Sequence, residues 1–413
     1  MKLMKIKIDN IELFEERQLE IDFIAEKKVY ENEIASGTVT PINNRVNYLN
    51  LLSFIGINAS GKTIILKLIK DIISIYLENE SLSKLSYIKD FIDHKVTFTV
   101  YLYDKTNSKM YKIISEIFKK ISPERNSVLF GNEILFEKRI GKDSSKKDFF
   151  DFSMEQKILE RREIISHYLK NDDSIFSGIL NVKDSYTSCF SLIDFTNINF
   201  FFPYKTTLPD SLLNYLDPSI EFLVPLGNMD EKNPWLNKYK LKFKGNKKEI
   251  IGDSNTLESY LSSGTIRGLR VITDAMLALR NGGYLIIDEI ENHFNKAIVI
   301  NLIQLFNSKL NKNGATLLFS THYTEIIDVI DRTDSIYLTR RDVSLKIEKL
   351  SKVIGKYDRK DKVKSDLILS GIFGTAPKYK DFLKLQNEIK KNISIDKYES
   401  FKNVVMEEGS VYG

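Results

Sequence analysis

The sequence predicts an α/β fold: a parallel core sheet with flanking helices, an antiparallel β layer beside it, and an inserted, mainly helical region. Three observations carry this expectation. The octapeptide GINASGKT, Gly56 to Thr63, lies between two apolar runs. YLIIDEI and ATLLFSTH are short apolar runs that alternate with helical patterns between Tyr260 and Thr339, as the buried strands of parallel sheets do. Period-two alternation marks the N-terminus and the stretch from 95 to 140 as strands exposed on one face.

Taken in order, residues 3–24 alternate through Met4, Ile6, Ile8, Leu19, Ile21 and Phe23, which predicts two strands joined by a polar turn. Residues 50–77 read as a buried strand, a glycine loop and a helix, because Ile65, Leu66, Leu68, Ile69, Ile72 and Ile73 recur at helical spacing. VTFTVYLYD, KMYKIIS and EILFEKRIG follow as successive antiparallel strands. Between 141 and 245 the pattern changes to a charged helix (Met154 to Lys170), polar turns and aromatic runs such as Phe200-Phe201-Phe202. Ser262 before the periodic run Ile266, Leu269, Ile272, Met276, Leu279 starts a helix that ends at Gly282-Gly283. After Pro377 one or two amphipathic helices are expected, as packed surface helices more than as partner-docking ones. The predicted division is a first lobe at 1–140, the insertion at 141–245, a second lobe at 246–377 and a helical tail at 378–413.

Composition narrows the function classes. The net charge of the 413 residues is only +5, so no global field calls for a polyanionic partner, and nucleic-acid contact would need a local patch. The single cysteine, Cys189, excludes an intramolecular disulfide and fits a small apolar position in a reducing compartment. The N-terminus lacks the apolar core of a signal peptide, and no charge-free run is long enough to span a bilayer, so a cytoplasmic location and no membrane partner are expected.

The chemistry concentrates in four motifs. In Gly56-x4-Gly61-Lys62-Thr63 the glycines let backbone N–H groups turn toward phosphate oxygens. Lys62 supplies charge to the β and γ oxygens, and the Thr63 hydroxyl can ligate Mg²⁺. Chance alone places this pattern in roughly one chain in a hundred of this length. Tyr284-Leu285-Ile286-Ile287-Asp288-Glu289 delivers two carboxylates to the end of an apolar strand, Asp288 for the metal and Glu289 for the attacking water. Ser262, Ser263 and Gly264 open a helix and offer a second anion site, with simple capping as the plainer role. His322 follows the strand ending Phe319-Ser320-Thr321, within expected reach of a γ-phosphate. His94, His167 and His293 share no metal-ligand spacing, and no nucleophile elbow is present.

Together GINASGKT, YLSSGTIRGL, YLIIDEIEN and LLFSTHYTEII resemble the ABC-type ATPase heads of SMC, RecF and overcoming-lysogenization-defect proteins, and Asn58 fits this group better than transporters. VTFTVYLYD, Glu133-Ile134-Leu135-Phe136-Glu137, Leu216-Asp217-Pro218-Ser219-Ile220 and Leu369-Ser370-Gly371-Ile372-Phe373-Gly374-Thr375-Ala376-Pro377 resemble prokaryotic abortive-infection ATPases, among them the ATPase subunits of Septu, PARIS and retron systems.

The resemblance implies that Gly56, Asn58, Gly61, Lys62 and Thr63 bind ATP and Mg²⁺, and that Asp288 and Glu289 serve metal and water. It implies that His322 is the switch histidine and that Ser262, Ser263 and Gly264 contact the γ-phosphate of ATP held by an opposite subunit. A homodimer, or a higher oligomer of dimers, follows from this, with Asn295 near the dimer-crossing loop. So does a separately encoded effector, a nuclease or a toxin, since the acidic nuclease domain of the overcoming-lysogenization-defect proteins is not in the sequence. No glutamine lies between Gln18 and Gln156, where such heads carry one on Mg²⁺, so slow hydrolysis is expected. The rival expectation is a RecF-like DNA clamp with Lys146, Lys147, Arg161 and Arg162 along a nucleic-acid path. A third is a scaffold that stores a toxin without hydrolysis.

Overall fold

The computed structural model describes residues 1–85, 87–120, 127–164, 169–183, 186–194, 208–227, 237–292, 294–354, 364–369 and 379–393. Two six-stranded sheets organise them. The core sheet runs in the order Cys189–Ser191, Tyr284–Ile287, Thr316–Thr321, Leu51–Ile55, Ile336–Arg341, Leu345–Lys349. Its first five strands are parallel and the last folds back as a hairpin. Every residue of the three central strands is buried, which explains why they read as continuous apolar runs.

The second sheet is antiparallel throughout, in the order Gln18–Asp22, Lys2–Asp9, Lys95–Asp104, Lys109–Lys120, Ser127–Arg139, Lys157–Glu160. Its alternating inner residues, including Ile6, Ile8, Val96, Phe98, Val100 and Ile113, form the largest apolar cluster with the helix Lys62–Tyr76. That helix therefore lies between the sheets. A second cluster fills the other face of the core sheet under the helices Ser263–Asn281 and Lys296–Phe306, through Val271, Ala275, Val299 and Ile303.

A third, smaller cluster holds the start of the helix Ser263–Asn281. Ile266 and Leu269 pack with Leu212 and Leu213 of the helix Asp210–Leu216, and with Leu223, Tyr239 and Leu241 of a three-stranded sheet. That sheet comprises Ile220–Leu226, Lys238–Phe243 and Ile250–Gly252.

The expected mainly helical character of 141–245 is not what the described residues show. They form three short helices (Lys146–Phe150, Ser177–Lys183, Asp210–Leu216) and four strands, and two of those strands belong to the large sheets. Cys189–Ser191 is an edge strand of the core sheet, and half-buried Cys189 packs against the main cluster there. In place of the expected charged helix from Met154, Lys157–Glu160 is a strand and Arg161–Glu163 a short 3-10 turn. Tertiary pairing outweighs the helical charge pattern: Leu159 registers against Leu135. The Arg161 guanidinium donates to the fully buried Glu133 carboxylate at 2.6 Å and to the carbonyls of Asp173 and Lys170. The aromatic run Phe200-Phe201-Phe202, His167, His293 and the segment Ser370–Pro377 lie outside the described residues. In the tail, Tyr379–Ile393 is one helix whose Phe382, Leu385 and Ile389 are each about half exposed. No helix among the described residues is long and apolar enough to cross a membrane.

Glu133 also accepts from the hydroxyls of Ser115 and Ser174 and from the Ile175 amide, and Tyr76, the last residue of the helix Lys62–Tyr76, donates to Ser115. The network is closed only while Glu133 is charged. Replacing Glu133 by Ala leaves Arg161 without its carboxylate in a site where its side chain is 11% exposed. A loss of about 3–5 kcal/mol in urea unfolding is expected; a loss under about 1 kcal/mol would show that the pair is solvated.

Candidate functional site

Three parallel strands end side by side and place the site at the carboxyl edge of the core sheet. Gly56 follows Leu51–Ile55, His322 follows Thr316–Thr321, and Asp288 follows Tyr284–Ile287. The loop Gly56 to Gly61 then turns into the helix Lys62–Tyr76. Its geometry requires its glycines. A side chain at Gly56 would sit 2.2 Å from the Thr339 carbonyl, and Gly61 combines φ of +91° with Leu345 carbons 2.7 Å from where a Cβ would lie. Ala59 shares the left-handed region at φ 61°.

The loop bounds a cleft of about 280 Å³ lined by Asn58, Ala59, Ser60, Gly61, Lys62, Thr63, Ile64, Glu289, His322 and Arg341. Lys62 Nζ donates to the carbonyls of Gly56 at 2.9 Å and Ile57 at 3.1 Å, and stands 3.4 Å from His322 Nδ1. Burial pulls its ammonium below the ordinary lysine range, and the carboxylates of Asp288, Glu289 and Glu291 oppose that pull.

Thr63 Oγ1 donates to Asp288 Oδ2 at 2.6 Å, joining the start of the helix to the end of a strand two positions away in the sheet. A hydroxyl beside a carboxylate at the first turn of a helix is a hard-oxygen donor pair, and it fits Mg²⁺. The second Asp288 oxygen accepts from Ser320 Oγ, which in turn accepts from the Glu289 amide at 2.7 Å. This matters because Glu289 has φ of 48°, a left-handed conformation costing about 1–3 kcal/mol for a residue with a side chain, and it needs such fixing.

Glu289 and His322 face each other, with Oε1 3.5 Å from Nε2. Asn292 donates to the other Glu289 oxygen, and the His322 amide donates to Glu291 Oε1 at 2.6 Å. The carboxylate of Glu289, 43% exposed, is thus held at the mouth of the cleft by neighbours that leave it open to solvent.

The structure gathers Asn58, Lys62, Thr63, Asp288, Glu289 and His322 around one cleft. Ser262, Ser263 and Gly264 do not line it. Exposed Ser262 caps the helix Ser263–Asn281, accepting from the Thr265 amide at 3.0 Å, which is the plainer of its two expected roles. Arg267 in the first turns of that helix donates to the Asn292 carbonyl at 3.3 Å. Asn295, exposed, caps the next helix through the Ala297 amide at 2.9 Å. Ser320, Asn292 and Arg341 are site residues that sequence reasoning missed. Ser320 had a signal, as a polar residue in an apolar strand next to a ligand edge.

The family model described as "AAA domain, putative AbiEii toxin, Type IV TA system" matches residues 51–328, more than half of the chain. The chain belongs to this AAA family. The matched stretch contains the glycine loop, Asp288, Glu289, Glu291 and His322, whereas Thr339, Arg341 and Leu345 lie beyond it. No curated protein matches the sequence. Among solved structures the chain is similar to an SMC head domain from Thermotoga maritima, at 10% identity and a TM-score of 0.39 over 84% of this chain and 99% of that one. It is also similar to an SMC head bound to the C-terminal winged-helix domain of ScpA, at 13% identity and 0.41 over 86% and 100%. Among the described residues no cluster of His, Cys, Asp and Glu could hold a metal on its own, so a metal here would need the hydroxyl of Thr63 or a phosphate as partner.

Ser320→Ala removes the hydroxyl that aligns Asp288 and fixes Glu289 while leaving both in place. A fall in kcat of about 10- to 100-fold with KM changed less than about threefold is expected in steady-state phosphate release; a raised KM with kcat unchanged would show that Ser320 serves binding instead.

Proposed function

We propose that this AAA-family chain is a dimeric, slowly hydrolysing ATPase of an antiphage defence system, which senses infection and controls a separate effector. The observation that carries the enzymatic part is the Thr63–Asp288 contact beside Lys62, with Glu289 and His322 on the same cleft. Loop amides and Lys62 bind the β- and γ-phosphates. Thr63 and Asp288 would hold Mg²⁺, which when bound neutralises phosphate charge and polarises the terminal phosphoryl group. Glu289 takes a proton from the attacking water, and His322 holds the γ-phosphate while its bond to the leaving diphosphate breaks.

The dimer completes the site by supplying Ser262, Ser263 and Gly264 from the opposite subunit. The exposure of Ser262, and its absence from the lining of its own cleft, support that role. The defence reading is supported by the toxin-type family to which the chain belongs. Of the four basic residues named for the DNA-clamp alternative, Lys146, Arg161 and Arg162 each pair with a carboxylate (Glu26, Glu133 and Glu160), which weakens that reading without touching Lys147.

Lys62→Ala is expected to abolish ATP binding and phage protection when expressed with the neighbouring genes. Glu289→Gln is expected to bind ATP, lose about 10²- to 10⁴-fold in turnover, and accumulate as an ATP-dependent dimer in sedimentation. Normal turnover in Glu289→Gln would remove it as the base. A monomer that ignores ATP would end the dimer proposal, and protection retained by Glu289→Gln would make the chain a nucleotide-gated store for its effector.

A further inference from the structure

The strand Leu51–Ile55 has two parallel neighbours, Thr316–Thr321 on one side and Ile336–Arg341 on the other. His322 continues the first neighbour, and Asp288 and Glu289 follow the strand beyond it. The groups proposed to act on the terminal phosphate therefore reach the loop from one flank. Arg341 ends the second neighbour and lines the same cleft from the opposite flank.

The hairpin carrying Arg341 is fixed to the phosphate loop. Thr339 Oγ1 donates to the Ile55 carbonyl at 3.1 Å and lies 2.7 Å from Ser60 Oγ. Beyond the turn, Leu345 covers Gly61, and its amide donates to the Leu13 carbonyl at 2.8 Å. Adjacent residues on a strand point to opposite faces. Arg340 is held by Glu348 at 2.8 Å, whereas exposed Arg341 has no carboxylate partner among the described residues. An unpaired guanidinium beside Lys62 and the amide dipoles of a helix start adds like charge to like charge. A bound polyanion reverses the sign of that interaction.

We propose that Arg341 is a nucleotide-contacting residue that clamps the α-phosphate side of the bound nucleotide, opposite the flank where Glu289 and His322 meet its terminal phosphate. The proposal rests on the cleft being a nucleotide site. A guanidinium can bridge two oxygens of one phosphate, which an ammonium cannot. Because the contact lies away from the γ-phosphate, it serves ADP as well as ATP.

Calorimetric titration of the full chain with ATP and with ADP tests this in the wild type, Arg341→Ala, Arg341→Lys and Lys62→Ala. Arg341→Ala is expected to weaken both nucleotides about tenfold, the scale of one charge-assisted hydrogen bond, with the ATP-to-ADP affinity ratio unchanged. Arg341→Lys is expected to recover part of the loss. Unchanged affinity for both nucleotides in Arg341→Ala, or a loss confined to ATP, would overturn the clamp while Lys62→Ala still loses ATP. Wild-type affinity in Lys62→Ala would overturn the nucleotide site itself. Arg341 is exposed at the end of a hairpin, so the variants keep the fold, and an unchanged thermal melt verifies it.

Discussion

The hydrogen bond from Thr63 to Asp288 is the contact on which the rest of the site depends, because it spans a strand. Thr63 belongs to the helix after Leu51–Ile55 and Asp288 to the end of Tyr284–Ile287, with Thr316–Thr321 between them. The contact forms only if the three strand ends keep their relative stagger. Their registers set that stagger: Ile55 opposes Thr321, whereas Ile287 opposes Phe319, two residues earlier. The packing of particular side chains holds the registers. A slip of one residue would exchange those packed with the helix Lys62–Tyr76, such as Leu52, Phe54 and Leu318, for those packed under the helices on the other face, such as Leu51, Leu317 and Phe319. Lys62, Glu289 and His322 then meet without further adjustment.

The same reasoning explains what could be read from the sequence. A parallel strand buried on both sides is a local apolar run, and a phosphate loop is a local octapeptide, so strand, loop, helix, Asp288 and His322 are all visible in short windows. The two N-terminal strands and the three from 95 to 140 are visible for the same reason, through alternation on a half-exposed sheet. What escaped depends on distant partners. Residues 157–163 carry a charge pattern that suits an α-helix, yet they form a strand and a short 3-10 turn because Leu159 pairs with Leu135 and buried Glu133, more than twenty residues earlier, takes Arg161. Cys189–Ser191 is three residues long and gains its strand identity only from pairing with Tyr284, Leu285 and Ile286. Arg341 is the last residue of the last parallel strand, and nothing in its neighbourhood distinguishes it from Arg340 until the hairpin is folded.

Two of the residues with a left-handed backbone lie where the chemistry is proposed. Glu289 sits at φ 48° and Ala59 at φ 61°, and each is bracketed by fixed neighbours, Ser320 for the first and Gly61 with Leu345 for the second. A carboxylate held in an unfavourable backbone conformation keeps its orientation only while its hydrogen bonds persist. The Asn292 side chain supplies one of these, and the Asn292 carbonyl in turn accepts from Arg267. The helix that begins with Ser262, Ser263 and Gly264 is therefore tied by two polar links to the proposed base of its own cleft.

The helix Lys62–Tyr76 makes a second tie, in the opposite direction. At about 1.5 Å per residue it is on the order of 22 Å long. Its first residues touch the cleft and its last touches Ser115 and, through it, Glu133. Its apolar residues are packed between the two sheets, so it can shift only as a body. Thr63 and Tyr76 thus stand at opposite ends of one packed helix, the second against a network of hydroxyls and one buried ion pair. The antiparallel layer is thereby joined to the loop through this helix, although none of its described residues lines the cleft.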